Sequence, residues 1–301
     1  MFFKRIVINL KRNFIRIFKD KKLAQRYKHI QYAKLFALQY KSTKWGVSYS
    51  VFDGLELLEH SIESIRNSCN YINVVYSDIS WYGNKTNEDI LSILKDLQER
   101  NLIDEIIYYK PDLALLAVEN ERNKRNLGLR FAKKAKIDYF MTMDADEFYL
   151  QNEVEIAKRY ILKNNITHSF CNIVNYSILP THRFLRTPSF VQFFSKLKRN
   201  SILETNKKII TIIDPTRQLN HYWGGAKYFF LPQVEMHHMT IIRKNLLVKF
   251  KNSTARDAYK IITESFYEYK KRALENTMKS QDLFNLTDLA TKFLEDAGSV
   301  K

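Results

Sequence analysis

Two cysteines in 301 residues, Cys69 and Cys171, exclude a disulfide framework. Neither has the Cys-x-x-Cys or Cys/His neighbours of a structural zinc site, and such scarcity suits a reducing cytoplasm. Glycine (7) and proline (5) are sparse too. No low-complexity tract or internal repeat interrupts the chain, which argues against flexible linkers and disorder. No apolar run approaches the roughly 18–20 residues that cross a bilayer. No uninterrupted apolar segment followed by a cleavage site marks a secretory leader. Acid is lacking at one end only. Residues 1–44 hold 13 Lys/Arg and a single acid, Asp20, and so carry +12 of the formal +17. Residues 45–301 hold 36 bases and 31 acids, an ordinary balance. The excess charge belongs to an extension.

That extension, residues 1–44, opens "MFFKRIVINLKRNFIRIFKDKK". Phe3, Ile6, Val7, Leu10, Phe14, Ile17 and Phe18 recur at helical spacing with Lys and Arg between them. A basic amphipathic helix of this kind fits an anionic membrane surface, where each cation contributes on the order of 1 kcal/mol. The alternative is that its apolar stripe packs on the main domain. The first reading places the protein on the inner face of the cytoplasmic membrane.

From Trp45 strand and helix signals alternate. "WGVSYSVF" (45–52), "YINVVYSD" (71–78), "IDEIIYYK" (103–110) and "DYFMTMD" (138–144) read as strands. Helical spacing runs through 55–68, 87–102 with Asn87 as cap, and 121–136. Single helices between strands indicate a doubly wound α/β sheet, whose ligands sit beyond the carboxyl ends of the strands. Three of those ends carry Asp53, Asp78 and Asp144. Further on, 154–165 reads as helix, and 167–179, 208–214 and 233–242 as strands. The C-terminus reads as helical, with Thr254 and Asp257 at capping-box spacing. The expected division is a 45–253 main domain and a 254–301 helical segment.

The stretch "YFMTMDADEFYL" (139–150) sets Asp144, Asp146 and Glu147 at the end of an apolar strand. Repulsion and desolvation make that costly unless a cation or hydrogen-bond network occupies the cluster. On an extended chain Asp144 and Asp146 point the same way. Two such oxygens suit Mg²⁺ or Mn²⁺ with water and phosphate in the remaining positions. The alternative is an acidic cap for the following helix. "EMHHM" (235–239) adds His237 and His238 on opposite faces of a strand, one able to reach a metal while the other packs.

These residues carry a resemblance. "ERNKRNLGLRFAKKAKIDYFMTMDADEFY" resembles the core of family 2-type glycosyltransferases of the GT-A fold. "NKRNLG", "DADEFY", "IDPTR", "MHHMTIIRK" and "KFKNS", in that order, are similar to bacterial members from surface-polysaccharide loci, over about residues 45 to 256. The resemblance implies a GT-A-type doubly wound mixed sheet with flanking helices, to which the residue pattern adds helical extensions at both termini. It also implies a Mn²⁺- or Mg²⁺-dependent transfer of one sugar from a nucleotide-sugar donor, UDP-sugar by default, to a glycan or glycolipid acceptor, with inversion. Asp78 matches the acid on the nucleotide base, with Asp53 at the neighbouring strand end. Arg125 matches a base- or phosphate-contacting position, and Asp144 and Asp146 match metal and ribose–diphosphate ligands. His238, or its neighbour His237, matches the later metal-binding histidine.

A departing nucleotide gains negative charge, which a cation bound at the acids stabilises. Arg217, Arg243 or Lys244 could add to this, although cations flanking a strand are usually solvated. The acceptor's proton needs a carboxylate base: Asp214 of "IDPTR" is the first candidate and Glu235 the second. The processive Gln-x-x-Arg-Trp motif is absent; "RQLNHYW" (217–223) is only superficially similar. A sugar-phosphate nucleotidylyltransferase would need a Gly-rich loop where "SVFDGLEL" has one glycine. A nucleic-acid-binding protein would explain pI ≈ 9.6, but no reading motif appears and the charge sits in the extension, so no nucleic-acid partner is expected.

Overall fold

A computed structural model describes residues 21–86, 89–185, 189–205, 214–220, 228–254, 256 and 277–298. The helix expected in 1–20, the cap Asn87, residues 208–213 of the strand expected over 208–214 and Asp257 lie outside the described residues. Contacts divide the chain into two compact units, residues 1–43 and 44–301.

In the first unit, α1 (Lys21–Ser42) contains no acid, and Thr43 ends it by donating its backbone N–H and its hydroxyl to the Gln39 carbonyl. Ile30, Leu35 and Leu38 are exposed on it. Among the described residues no helix is long and apolar enough to cross a membrane.

The second unit alternates as the hydrophobic periods imply: β1 (Trp45–Val51), α2 (Leu55–Arg66), β2 (Tyr71–Tyr76), α3 (Ile90–Glu99), β3 (Glu105–Tyr108), α4 (Ala117–Lys134) and β4 (Tyr139–Asp144). Then follow β5 (Glu147–Phe148), α5 (Gln151–Lys163), β6 (His168–Asn175), β7 (His182–Phe184), β8 (Phe190–Lys196) and β9 (Ile202–Glu204). A 3-10 turn (Pro215–Arg217) leads to β10 (Gln218–Asn220), β11 (Tyr228–His238), α6 (Leu246–Asn252), β12 (Thr277–Lys279) and α7 (Thr287–Gly298).

One sheet runs in the order β3-β2-β1-β4-β8-β6-β11-β5. Its first four strands are parallel. β8 is antiparallel to both neighbours, β11 is parallel to β6, and β5 closes antiparallel on β11. The sheet is therefore mixed, with helices on both faces. On one face α4 approaches β1 so closely that a Cβ at Gly128 would overlap the Ser48 hydroxyl. On the other, the Tyr49 hydroxyl lies 3.1 Å from Ser61 of α2.

Leu57, Phe148, Val174 and Tyr176 pack with Leu286, Ala290 and Phe293, so the C-terminal helix shares a core with the sheet. Each of the Leu, Val and Phe side chains contributes about 1.5–3 kcal/mol on burial.

Two helix starts differ from expectation for local reasons. The Asp89 carboxylate accepts from the Ser92 N–H at 3.1 Å and caps α3. The Glu119 carboxylate accepts from the Leu116 N–H, which lets α4 begin at Ala117. β11 starts at Tyr228 and stops at His238, because the Met239 N–H then donates to the Asp146 carbonyl at 2.8 Å. That bond ties the end of β11 to the acidic turn after β4.

Candidate active site

At the carboxyl ends of β1 and β4 lies a cavity of about 560 Å³. Asp53, Asp144, Glu147, Asp214 and Glu121 line it with Lys124, Arg217, Arg243, Lys249 and His238, while Phe52 and Trp81 give it an apolar wall.

The acids after β4 divide into two groups. β4 ends at Asp144, and Ala145 and Asp146 form a turn, so the alternation that would point both aspartates one way is broken. Asp144 faces Arg217 at 2.7 Å and Arg125 at 3.1 Å. Arg217 also holds Glu147 through two bonds, at 2.5 and 2.7 Å, and Asp214 at 2.7 Å. Arg125 reaches Glu121 at 2.9 Å and Asp214 at 3.0 Å, and its Nε donates to the Thr216 hydroxyl. Asp146, fully buried, faces instead Arg243 at 2.5 Å and Lys249 at 3.6 Å. Arg243 in turn reaches Asp53 at 3.1 Å.

Guanidinium groups therefore occupy most of the acidic cluster. Far from being solvated flanks of strands, Arg217 and Arg243 are buried. Such pairs neutralise the desolvation penalty without adding much stability, yet removing one partner costs about 3–5 kcal/mol. Burial raises the proton affinity of Asp144, but Arg125 and Arg217 outweigh it and hold the carboxyl below its ordinary range. Burial is likewise outweighed at Asp146 by Lys249 and Arg243, and at Asp214 by Arg125 and Arg217. Lys124 is fully buried, donates to the Val51 carbonyl at 2.6 Å and lies 5.2 Å from the Trp81 ring centre. Burial pushes its ammonium down to about 7.

Two places could hold a cation. Among the described residues, Glu121, Asp144 and Asp214 form an acidic triad with oxygens within 4.8 Å of one another. Arg125 already donates into that triad. The second place is at Asp146. Its Oδ1 is buried with no hydrogen-bond partner and lies 3.9 Å from His238 Nε2. His238 Nδ1 is 2.9 Å from the Asn175 side-chain oxygen, which can only accept, so the ring proton sits on Nδ1. Burial also favours the neutral ring. A lone pair on Nε2 and an orphaned carboxylate oxygen thus face one another, a donor set that fits a divalent cation.

The remaining expected residues sort by face. β11 directs Met236 and His238 into the cavity, so Glu235 and His237 lie on its other side. His237 there meets the Tyr176 hydroxyl at 2.9 Å and packs on Phe284. Asp53 reaches the cavity wall. Asp78 stays exposed, accepting from the Tyr108 hydroxyl at 2.8 Å, and does not join the wall. The Lys244 N–H donates to Glu56, and its side chain is exposed. Sequence reasoning missed Glu121, Lys124, Lys249 and Trp81. The first two were detectable, because Glu121, Lys124, Arg125 and Gly128 share one helical face.

No protein-family model and no curated protein matches the chain. Similar solved structures include S. aureus TarS 1-349 (12% identity, TM-score 0.41, covering 78% of this chain and 74% of that one). The same protein in complex with UDP aligns over 44% of this chain and 36% of its own, at TM-score 0.33 and 13% identity. GalNAc-T7 with UDP, GalNAc and Mn²⁺ aligns at TM-score 0.38 and 12% identity over 85% of this chain and 54% of that one. These neighbours are glycosyltransferases, and this chain spans only part of their length.

Proposed function

We propose that this chain is a metal-dependent, non-processive glycosyltransferase that takes a nucleotide-sugar, UDP-sugar by default, as donor. The observation that carries this reading is the unpartnered Oδ1 of buried Asp146, 3.9 Å behind Nε2 of His238, which lines the cavity at the strand ends. Around that pair the cavity offers what a nucleoside diphosphate needs. Lys249 and Arg243 present cations beside the proposed metal ligands, and Lys124 adds a donor under Trp81. Phe52 and Trp81 suit the face of a base.

Asp146 and His238 would hold Mn²⁺ or Mg²⁺, which supplies Lewis-acid stabilisation of a departing diphosphate. In the transfer the bond from the anomeric carbon to the diphosphate oxygen breaks, one to the acceptor oxygen forms, and the acceptor's hydroxyl proton passes to Glu121, a carboxylate of the cavity wall whose proton affinity burial raises. Lys249 and Arg243 share the charge that develops on the leaving oxygen. Asp214 is a poor proton acceptor because Arg125 and Arg217 hold it ionised, and its role is to position those two side chains. Glu235, on the far side of β11, is remote from this step.

Inversion, a bacterial surface-glycan acceptor and a location at the inner membrane face belong to the same proposal. The exposed apolar side chains of the acid-free α1 support the membrane part.

The test is titration calorimetry of UDP, GDP and CMP with and without Mn²⁺, on wild type and Asp146→Ala. One nucleotide should bind with Mn²⁺ and be lost in the variant. Equal binding without Mn²⁺ would transfer the diphosphate to Arg243 and Lys249 and remove the metal from the reading. No nucleotide binding under any condition would sink the whole of it.

A further inference from the structure

A second cavity, of about 390 Å³, adjoins the first, and Ile173 and Asn175 line both. Its outer wall is Arg183 and Phe184 of β7, the following Leu185, and Met278 of β12. Arg183 and Met278 are paired across the β7–β12 ribbon, which fixes that wall to the sheet end. Among the described residues the cavity lining contains no acid.

Arg183 is the unusual member. It is partly buried, and its Nε is closed to solvent with no hydrogen-bond partner. Among the described residues no carboxylate lies within ion-pair distance of it, whereas Arg125, Arg217 and Arg243 are all paired. A guanidinium offers five N–H donors in a fork that matches carboxylate or phosphate. Holding one beside apolar side chains without a counter-charge is unfavourable, and an incoming oxyanion would relieve it.

We propose that this cavity binds the second substrate and that Arg183 recognises an anionic oxygen group on it, a carboxylate or a phosphate of an acidic carbohydrate. Phe184, Leu185 and Met278 receive the apolar part next to that group. The site's role in transfer rests on the function proposed above; the anion binding does not. Asn175 links the two cavities, since its side-chain oxygen accepts from His238 Nδ1 while the residue lines both. A sugar held by Arg183 therefore comes to the edge of the donor cavity at its proposed metal ligand.

The experiment is ligand-observed NMR titration of the full chain with glucose 6-phosphate, glucuronate and glucose. It uses wild type, Arg183→Met, Arg183→Lys and Leu185→Glu. At least one charged sugar should bind wild type about tenfold or more tighter than glucose, the usual worth of a charge-assisted contact. Whether phosphate or carboxylate wins tells which anion the site takes. Arg183→Met should erase the preference and Arg183→Lys should keep part of it. Leu185 is 61% exposed, so Leu185→Glu should fold, place a carboxylate beside Arg183 and erase the preference with the arginine still present. Charged sugars binding no better than glucose, or binding Arg183→Met as well as wild type, would overturn the proposal. Failure of UDP to bind while this Arg183-dependent preference persists would remove the transferase reading and leave the anion site standing.

Discussion

The two cavities lie side by side on the same strands, yet their electrostatics are opposite. In the first, Arg125, Arg217 and Arg243 are each tied to carboxylates of the wall or its floor. In the second, Arg183 has a cavity in front of it and, among the described residues, no carboxylate within ion-pair distance. Internal pairing makes Arg125 and Arg217 part of the fold, Arg243 also faces the donor cavity, and the absence of a pair leaves Arg183 available to a ligand. Buried charge of one type can therefore be scaffold or recognition, and its ion pairing distinguishes them.

Substitutions should separate these roles. The largest effect is expected for Arg217→Met. It strips the counter-charge from Glu147, which is 2% exposed, and from Asp144 and Asp214, at a cost of about 3–5 kcal/mol in urea denaturation. An unchanged midpoint would break the contrast. Asn175→Ala, at the junction, removes the acceptor that fixes the His238 tautomer. It should weaken Mn²⁺ binding by about 10–100-fold with little change in stability. Equal loss of both would mean that Asn175 only supports the sheet.

Acid stability gives a third, smaller difference. The folded proton affinities of Asp144, Asp146 and Asp214 lie below the ordinary value of 3.8. Their stabilisation is thus complete above the unfolded value and lost as pH falls through the lower folded ones. Asp146→Asn should flatten the decline of stability below pH 4, roughly where unfolded aspartates titrate. Arg183→Met, which removes no carboxylate, should leave that limb unchanged. Smallest of all, Arg183→Met should shift overall stability by less than about 0.5 kcal/mol, because it breaks no pair.

The regular half of the fold was legible in the sequence because β1 to β4 and the helices between them bury one face at a constant period. Strand ends placed Asp53 and Asp144 at the cavity by the same logic. What followed Leu150 was harder, since β11 contains Pro232 and shifts register between Phe230 and Glu235, which blurs its alternation. Within the site, the acidic stretch and one histidine of the pair were readable from spacing. The turn at Ala145–Asp146, which sends the two aspartates to different partners, was not. Nor could sequence show which of many cations would be buried. Arg217 looks like its solvated neighbours until Asp144, Glu147 and Asp214 close around it.

The most direct test of the central claim is Mn²⁺ binding, followed by electron paramagnetic resonance in the presence of UDP. Wild type, Asp146→Asn, His238→Gln and His237→Gln would be compared. The expected result is loss of the bound-metal signal in Asp146→Asn and His238→Gln and its retention in His237→Gln. A signal that survives both of the first two, or vanishes only with His237, would contradict the assignment of this cavity as a metal–diphosphate site.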